Sequence, residues 1–341
     1  MRVVSVFGTR PEAIKMAPVV KALEANSEIE SHVCLTGQHR EMLEQVVRLF
    51  DLKPDLNLDV MQDSQGLTHV TSAVLKGLER AFEEIKPDYV LVHGDTTTTM
   101  AAAMAAFYQQ IPVGHVEAGL RTGNIYSPWP EEMNRKLTGG LSTLHFAPTE
   151  TARSNLNREG INGGSVEVTG NTVIDALYWV RDNRLSASDT EMSEKFPFLN
   201  ANKRMILVTG HRRENHDGGI EGICRAMAKL AERGDVQVVY PVHLNPAVQA
   251  TAQAVLKGVD DVHLIPPQDY LPFVWLMNRA YLKIPAASKK RQLGKPILVR
   301  QKIQPNTAPE ASDARNPAPP ALLLNWPAPF IENSENFLII Q

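Results

Sequence analysis

The stretch VFGTRPEAIKM, residues 6–16, decides the fold class. The apolar run from Arg2 to Phe7 reads as a buried strand. A single glycine, Gly8, makes the turn, and a helix follows that carries Arg10 and Lys15. A strand that hands over to a helix this tightly is the first half of a βα unit. A dinucleotide fingerprint at this place needs G-x-G-x-x-G, and a P-loop needs G-x-x-x-x-G-K-[ST]. Neither is present, so nicotinamide dinucleotide and ATP are disfavoured as ligands of this turn.

Working outward, the alternation repeats. SHVCLTG precedes a helical 39–50, and DYVLVHGD precedes the Ala-rich TTTTMAAAMAAFYQQ. IPVGHVEAG follows, and TLHFAPT leads into ETARSNLNREG. It then restarts: RMILVTGHRRE, a helical 218–233, VQVVYPVHLN, a helical 246–257, VHLIPPQDY and a helical 271–279. Short apolar runs separated by helices predict parallel sheets. The expected fold is α/β, with two Rossmann-like domains facing across a cleft. We place the first at 1–168 and the second, incomplete, at 169–300. Residues 301–341, rich in Pro and Ala and without either period, form an aberrant tail.

The 341 residues suffice for two domains, and 43% hydrophobic content supports a sizeable core. A net charge of −3 leaves no electrostatic footprint for nucleic acid or an anionic membrane. No apolar run reaches the ~20 residues of a membrane span. The chain begins directly on a strand pattern, without a signal peptide. Two distant cysteines, Cys34 and Cys224, form no disulfide or metal pattern, which suits a reduced cytoplasmic protein.

Ligands of open α/β sheets bind beyond the carboxyl ends of the strands. The residues there are polar almost throughout: Gly8-Thr9-Arg10, Gly37-Gln38-His39-Arg40, His93-Gly94-Asp95, His115 to Gly119, Gly210 to Glu214, His243 to Asn245, and Gln268-Asp269. Arg10 and Lys15 would add full charges to a helix N-terminus that already attracts anions. The competing reading makes Lys15 a solvated helix residue and Arg10 the partner of Glu12. Asp95 and Glu117 end successive strands, and two neighbouring carboxylates with pKa values pushed apart suit one acid and one base. Glu131, which ends YSPWPE, can join them; the alternative is that Glu117 only caps the next helix. His211, flanked by Arg212 and Arg213, can carry a proton or hold phosphate, or be a structural histidine. His39, His93, His115 and His243 lack metal-ligand spacing, so no metal site is expected.

Taken in order, FGTRPEAIKMAP, GQHREML, VLVHGDTTTT, PVGHVEAGLRTGN, SPWPEEMNR, TGNTVIDAL, ILVTGHRREN, VYPVHLNP and PQDYLPFVWLM resemble the non-hydrolysing bacterial UDP-N-acetylglucosamine 2-epimerases. The likeness runs over about residues 1–282. It implies a glycosyltransferase-B type fold and interconversion of UDP-GlcNAc and UDP-ManNAc for surface polysaccharides. It also implies a homodimer without metal or other cofactor, and activation by UDP-GlcNAc. The implied route eliminates UDP to 2-acetamidoglucal and adds it back. On the matched motifs, Asp95, Glu117 and Glu131 are acid/base candidates. Arg10, Lys15 and His211 match substrate-binding positions, with His211 suited to the leaving diphosphate. Gln268 and Phe273 match positions near the uracil.

After Leu282 this sequence departs from the family, which continues with TDSGGIQEEAPSLGKP, a loop that holds nucleotide phosphate and ribose. Here KIPAASKKRQLGKP stands instead. One codon choice for Lys283–Gln292, aag att ccg gcg gca tcc aag aag agg caa, encodes Asp-Ser-Gly-Gly-Ile-Gln-Glu-Glu-Ala when read two bases later. Lys302–Asn306, as aag ata caa ccg aac, likewise conceals Asp-Thr-Thr-Glu. We therefore expect a frame-disrupting change after about codon 282, in the gene or its recorded sequence; resequencing the coding DNA tests it. The reading that competes with an epimerase is a non-catalytic relic of one. A UDP-sugar glycosyltransferase is disfavoured, since it does not explain the matched loops.

Overall fold

The computed structural model describes residues 1–37, 40–60, 66–161, 163–209 and 219–285. They fall into two compact units, one made of Met1–Val180 and one starting at Arg181. In the first, β1 (Arg2–Phe7) passes into α1 (Arg10–Glu24) through Gly8 and Thr9. A Cβ on Gly8 would lie 2.0 Å from Thr36 Oγ1, so only glycine allows so close a turn. Next come β2 (Glu30–Leu35), α2 (Arg40–Leu49), β3 (Leu56–Asn57), α3 (Leu67–Ile85), β4 (Tyr89–His93) and α4 (Thr97–Tyr108). The unit closes with β5 (Val113–Val116), α5 (Glu131–Leu141), β6 (Leu144–Ala147), α6 (Glu150–Arg158), β7 (Val166–Val168) and the greater part of α7 (Thr172–Asn183).

The seven strands are parallel, in the order β3-β2-β1-β4-β5-β6-β7. This is the doubly wound Rossmann order, and it reverses direction between β1 and β4, where a crevice opens at the strand ends. Strands covered on both faces read as unbroken apolar runs. Accordingly Val4, Val6, Val90, Val92 and Val113 pack against Val70, Val74 and Leu78 of α3 and Ala101, Ala102 and Ala105 of α4. The alanines leave α4 almost no side-chain bulk, which lets its N-terminus sit close to the sheet at the β1–β4 crevice.

The second unit holds α8 (Leu185–Lys195), β8 (Arg204–Thr209), α9 (Gly219–Ala231), β9 (Val236–Pro241), α10 (Pro246–Leu256), β10 (Val262–Ile265), α11 (Tyr270–Arg279) and β11 (Leu282–Pro285). Its parallel sheet runs β10-β9-β8-β11, the first unit's inner order again. Ile206, Val208, Val238 and Tyr240 form its core with Cys224 and Met227 of α9 and Val248, Ala252 and Leu256 of α10. The two-unit α/β expectation holds at the level of both sheets. His211, with Arg212 and Arg213, lies outside the described residues, as do Gln38, His39, the 286–292 departure with Lys289, Lys290 and Arg291, and the 301–341 tail.

Candidate active site

The site is built at the carboxyl ends of β1, β4 and β5. Its frame is Glu12. Thr9 caps α1, and Glu12 answers as the third residue of a capping box. Glu12 Oε2 accepts from the backbone N–H of Gly8 at 2.9 Å and of Thr9 at 2.7 Å. Its Oε1 accepts from the hydroxyls of Thr96 at 2.5 Å and Thr99 at 3.0 Å. Thr96 in turn caps α4, accepting from the Thr99 N–H. One buried carboxylate thus ties the β1 turn to the β4 turn across the sheet reversal. Glu12 is committed to these donors, which disfavours its reading as the mate of Arg10. Arg10 sits half-buried at the first position of α1.

Lys15 lies one turn further along α1. Its ammonium is paired: Nζ donates to Glu117 at 2.9 Å to Oε1 and 2.7 Å to Oε2. Asn171, just before α7, adds a donor at 2.8 Å to Oε2. Glu117 follows β5 with φ of +63°, a left-handed backbone that costs a non-glycine residue ~1–2 kcal/mol. Held there, the side chain turns back into the crevice. It caps no helix, since α5 begins only at Glu131, after Pro130. Burial works against its charge, but the Lys15 ammonium, which both attracts it and donates to it, and the Asn171 amide oppose burial, and its pKa lies below the usual carboxylate value. His93, the last residue of β4, is 3% exposed, with Nε2 3.8 Å from Glu117 Oε2. Burial, reinforced by Lys15 and opposed by Glu117, pushes His93 down to about 4, so it is neutral at physiological pH.

Asp95 faces different forces. Burial pushes its pKa up to about 6; Arg135 opposes, while Glu117 and Glu131 add to the rise and Lys15 counters it. Arg135 Nη2 donates to Asp95 Oδ2 at 2.5 Å, and Asn134 Nδ2 donates to the Asp95 carbonyl at 3.0 Å. Glu131 opens α5, and among the described residues its buried Oε2 has no hydrogen-bond partner. The turn between β4 and α4 is braced from below by His115. Burial pushes its pKa down to about 3, and its neutral Nε2–H donates to the Gly94 carbonyl at 2.7 Å. Asp95, Glu117, Glu131 and Lys15 therefore act on one another in a single crevice. Arg135 and Asn171, which the strand-end reading does not single out, join them, as does His93, which the sequence marks only as a strand-end histidine without metal-ligand spacing. Arg135 and Asn171 belong to motifs quoted above, SPWPEEMNR and TGNTVIDAL, and that was their only signal.

Gln268 and Phe273 lie in the second unit. Gln268 follows β10, its amide donating to the Pro266 carbonyl at 2.6 Å, and Phe273 is half-buried on the first turn of α11. The second unit's sheet reverses between β8 and β11, and the segments after both strands lie outside the described residues. Among the described residues no three His, Cys, Asp or Glu side chains converge as a metal site requires.

Residues 21–287 match the sequence profile of UDP-N-acetylglucosamine 2-epimerase. The chain belongs to that family. The family's enzyme from Salmonella typhimurium is 58% identical over 322 residues, spanning 92% of this chain and 85% of the relative. A family crystal structure from Neisseria meningitidis, bound to UDP-GlcNAc, has a TM-score of 0.74 and 52% identity over 84% of this chain and 77% of that one. A family member from Methanocaldococcus jannaschii, in complex with UDP-GlcNAc and UDP, gives a TM-score of 0.63 and 32% identity over 84% and 78%. The profile match ends a few residues past Leu282, where the family loop gives way to the lysine-rich segment.

Proposed function

We propose that this chain epimerises UDP-GlcNAc at C2, reversibly, to UDP-ManNAc by eliminating and re-adding UDP. The observation that carries the mechanism is the pair of carboxylates set in opposite directions: Glu117 held ionised, Asp95 raised to about 6. The C2 proton is barely acidic, so inversion needs a base on one face and a donor on the other. Glu117 removes the proton, the C1–O bond breaks, and UDP leaves with its electron pair, giving 2-acetamidoglucal. Asp95, able to hold a proton near neutral pH, delivers one to the opposite face as a diphosphate oxygen returns to C1. Burial raises Asp95, and Glu117 and Glu131 add to that rise. Arg10 and His211 are assigned to the diphosphate, Gln268 and Phe273 to the uracil. Lys15 gains a role beside substrate binding, holding Glu117 charged. The homodimer, the cytoplasmic location and allosteric activation by UDP-GlcNAc belong to this proposal; no helix among the described residues is long and apolar enough to cross a membrane.

A second reading rests on the residues after Leu282. The lost serine–glycine turn offered backbone N–H groups to phosphate. Lys289, Lys290 and Arg291 keep positive charge without that shaped nest. Losing a few charge-assisted hydrogen bonds of ~1.5–3 kcal/mol each weakens UDP binding by ~10²–10⁴-fold. The chain is then a relic with intact acid/base residues and a poor nucleotide site. Two measurements separate the readings: UDP-ManNAc formation in deuterium oxide, and calorimetry with UDP, each on this chain and on one restored to DSGGIQEEAP and TTERPEA with a family-length C-terminus. Turnover with deuterium at C2 supports the epimerase, and complete retention of protium excludes elimination. Binding and turnover only in the restored chain support the relic. Equal, tight binding by both shows that the loop is dispensable.

A further inference from the structure

Among the described residues, both ring nitrogens of His93 are buried without a hydrogen-bond partner. Burying a polar nitrogen unpaired costs ~1–3 kcal/mol, so a native side chain of this kind calls for a reason. Packing is a poor one, because an apolar residue would fill the space without that cost. The group that His93 faces is the Glu117 carboxylate, which already receives two donors on its other sides. We propose that His93 is a positioning residue for Glu117: a neutral imidazole that presents Nε2–H to Oε2 as the third donor of the cradle begun by Lys15 and Asn171. At 3.8 Å the contact is loose, and a small turn of either side chain closes it. The proposal rests on the reading of Glu117 as a proton-transfer group.

The charged and titratable surroundings favour this tautomer. Glu117 faces the ring from the end of β5 and attracts an N–H. The Lys15 ammonium on α1 disfavours a second proton on the ring, and the neighbouring His115 on β5 is itself neutral. A neutral donor has a functional advantage over a cation here. It steadies the ionised carboxylate, yet adds no full charge that would make Glu117 too weak a base to lift the C2 proton.

The test needs no turnover, so it stands apart from the epimerase proposal. In the full-length chain with ¹⁵N-histidine, the His93 ring should be singly protonated at pH 7, with its proton on Nε2. Titration of ¹³C-carboxyl-labelled glutamate, with Glu117 assigned through Glu117→Gln, should show its midpoint about one pH unit higher in His93→Phe. A glutamine amide nitrogen overlays Nε2 of histidine, whereas that of asparagine overlays Nδ1. His93→Gln should therefore keep the wild-type midpoint and His93→Asn should behave like Phe. A proton on Nδ1 alone, a doubly protonated ring at pH 7, or equal midpoints in the Gln, Asn and Phe variants would overturn the assignment. Should the Phe variant not fold, the ¹⁵N tautomer and the contrast of Gln with Asn still decide the matter.

Discussion

Replacing Lys15 by methionine keeps the length of the side chain and removes its charge. Two contacts of 2.9 and 2.7 Å to one carboxylate, with the side chains 20% and 12% exposed, place this pair nearer the buried than the surface limit. At an effective dielectric of about 20 the gross attraction is ~6 kcal/mol, and desolvation of both charges removes much of it. Lys15→Met alone leaves Glu117 buried with only neutral donors and should cost ~3–5 kcal/mol of stability at pH 7.5. The double variant with Glu117→Gln should cost less than the sum of the singles, by a coupling of ~2–3 kcal/mol. The pH dependence has a definite sign. A carboxylate with a depressed folded pKa contributes stability above its unfolded value, and the contribution is lost as pH falls through the folded one. The gap between wild type and Lys15→Met should thus be full at pH 7.5 and close below about pH 4.5. Urea unfolding read by hydrogen exchange of β4 and β5 peptides isolates the first unit. Additive costs, or a gap that widens in acid, would refute the pairing as the source of Glu117's charge.

Two further outcomes follow from the same crevice. Glu12→Ala should destabilise the first unit by ~3–5 kcal/mol, because it strips the acceptor from two backbone amides at a turn that admits no side chain. Glu12→Gln should cost far less, since its carbonyl can serve the amides while Thr96 and Thr99 turn to accept from its NH₂; thermal melts of both variants check this. For Asp95, turnover should inflect near pH 6, as the carboxyl raised by burial gives up its proton on the alkaline side. Asp95→Asn should lower kcat by ~10²–10⁴-fold and lose that inflection, and its persistence in the residual activity would assign it to another group.

Local signals made the fold legible. Each strand–glycine–helix handover is written in a few consecutive residues, and β1, β4, β8 and β9 fall where the apolar runs predict. The helix α3 carries a signal of the same local kind, with Val70, Val74 and Leu78 at a four-residue spacing. The site was legible as a set of strand-end residues but not as a set of partners. Lys15 meets Glu117 across 102 residues and Asp95 meets Arg135 across 40. Which strand ends adjoin is fixed by a sheet order that skips from β1 to β4, and no local pattern carries it. Glu12 shows the converse: Arg10 is its near neighbour in sequence, but the nearer donors in space are the amides of the turn it closes.

Asp95, Glu117 and Glu131, with Arg135, lie between Lys15 and Asn171, in a unit whose last strand is β7. A ribosome therefore finishes the unit that carries the proposed acid/base carboxylates before it begins the unit that carries Gln268 and Phe273. Domains emerging first fold first. A reading error far downstream reaches the first unit only after its crevice is set. The proposed proton transfer is thus encoded ahead of the proposed uracil contacts, and the latter can be lost, or repaired, without touching the former.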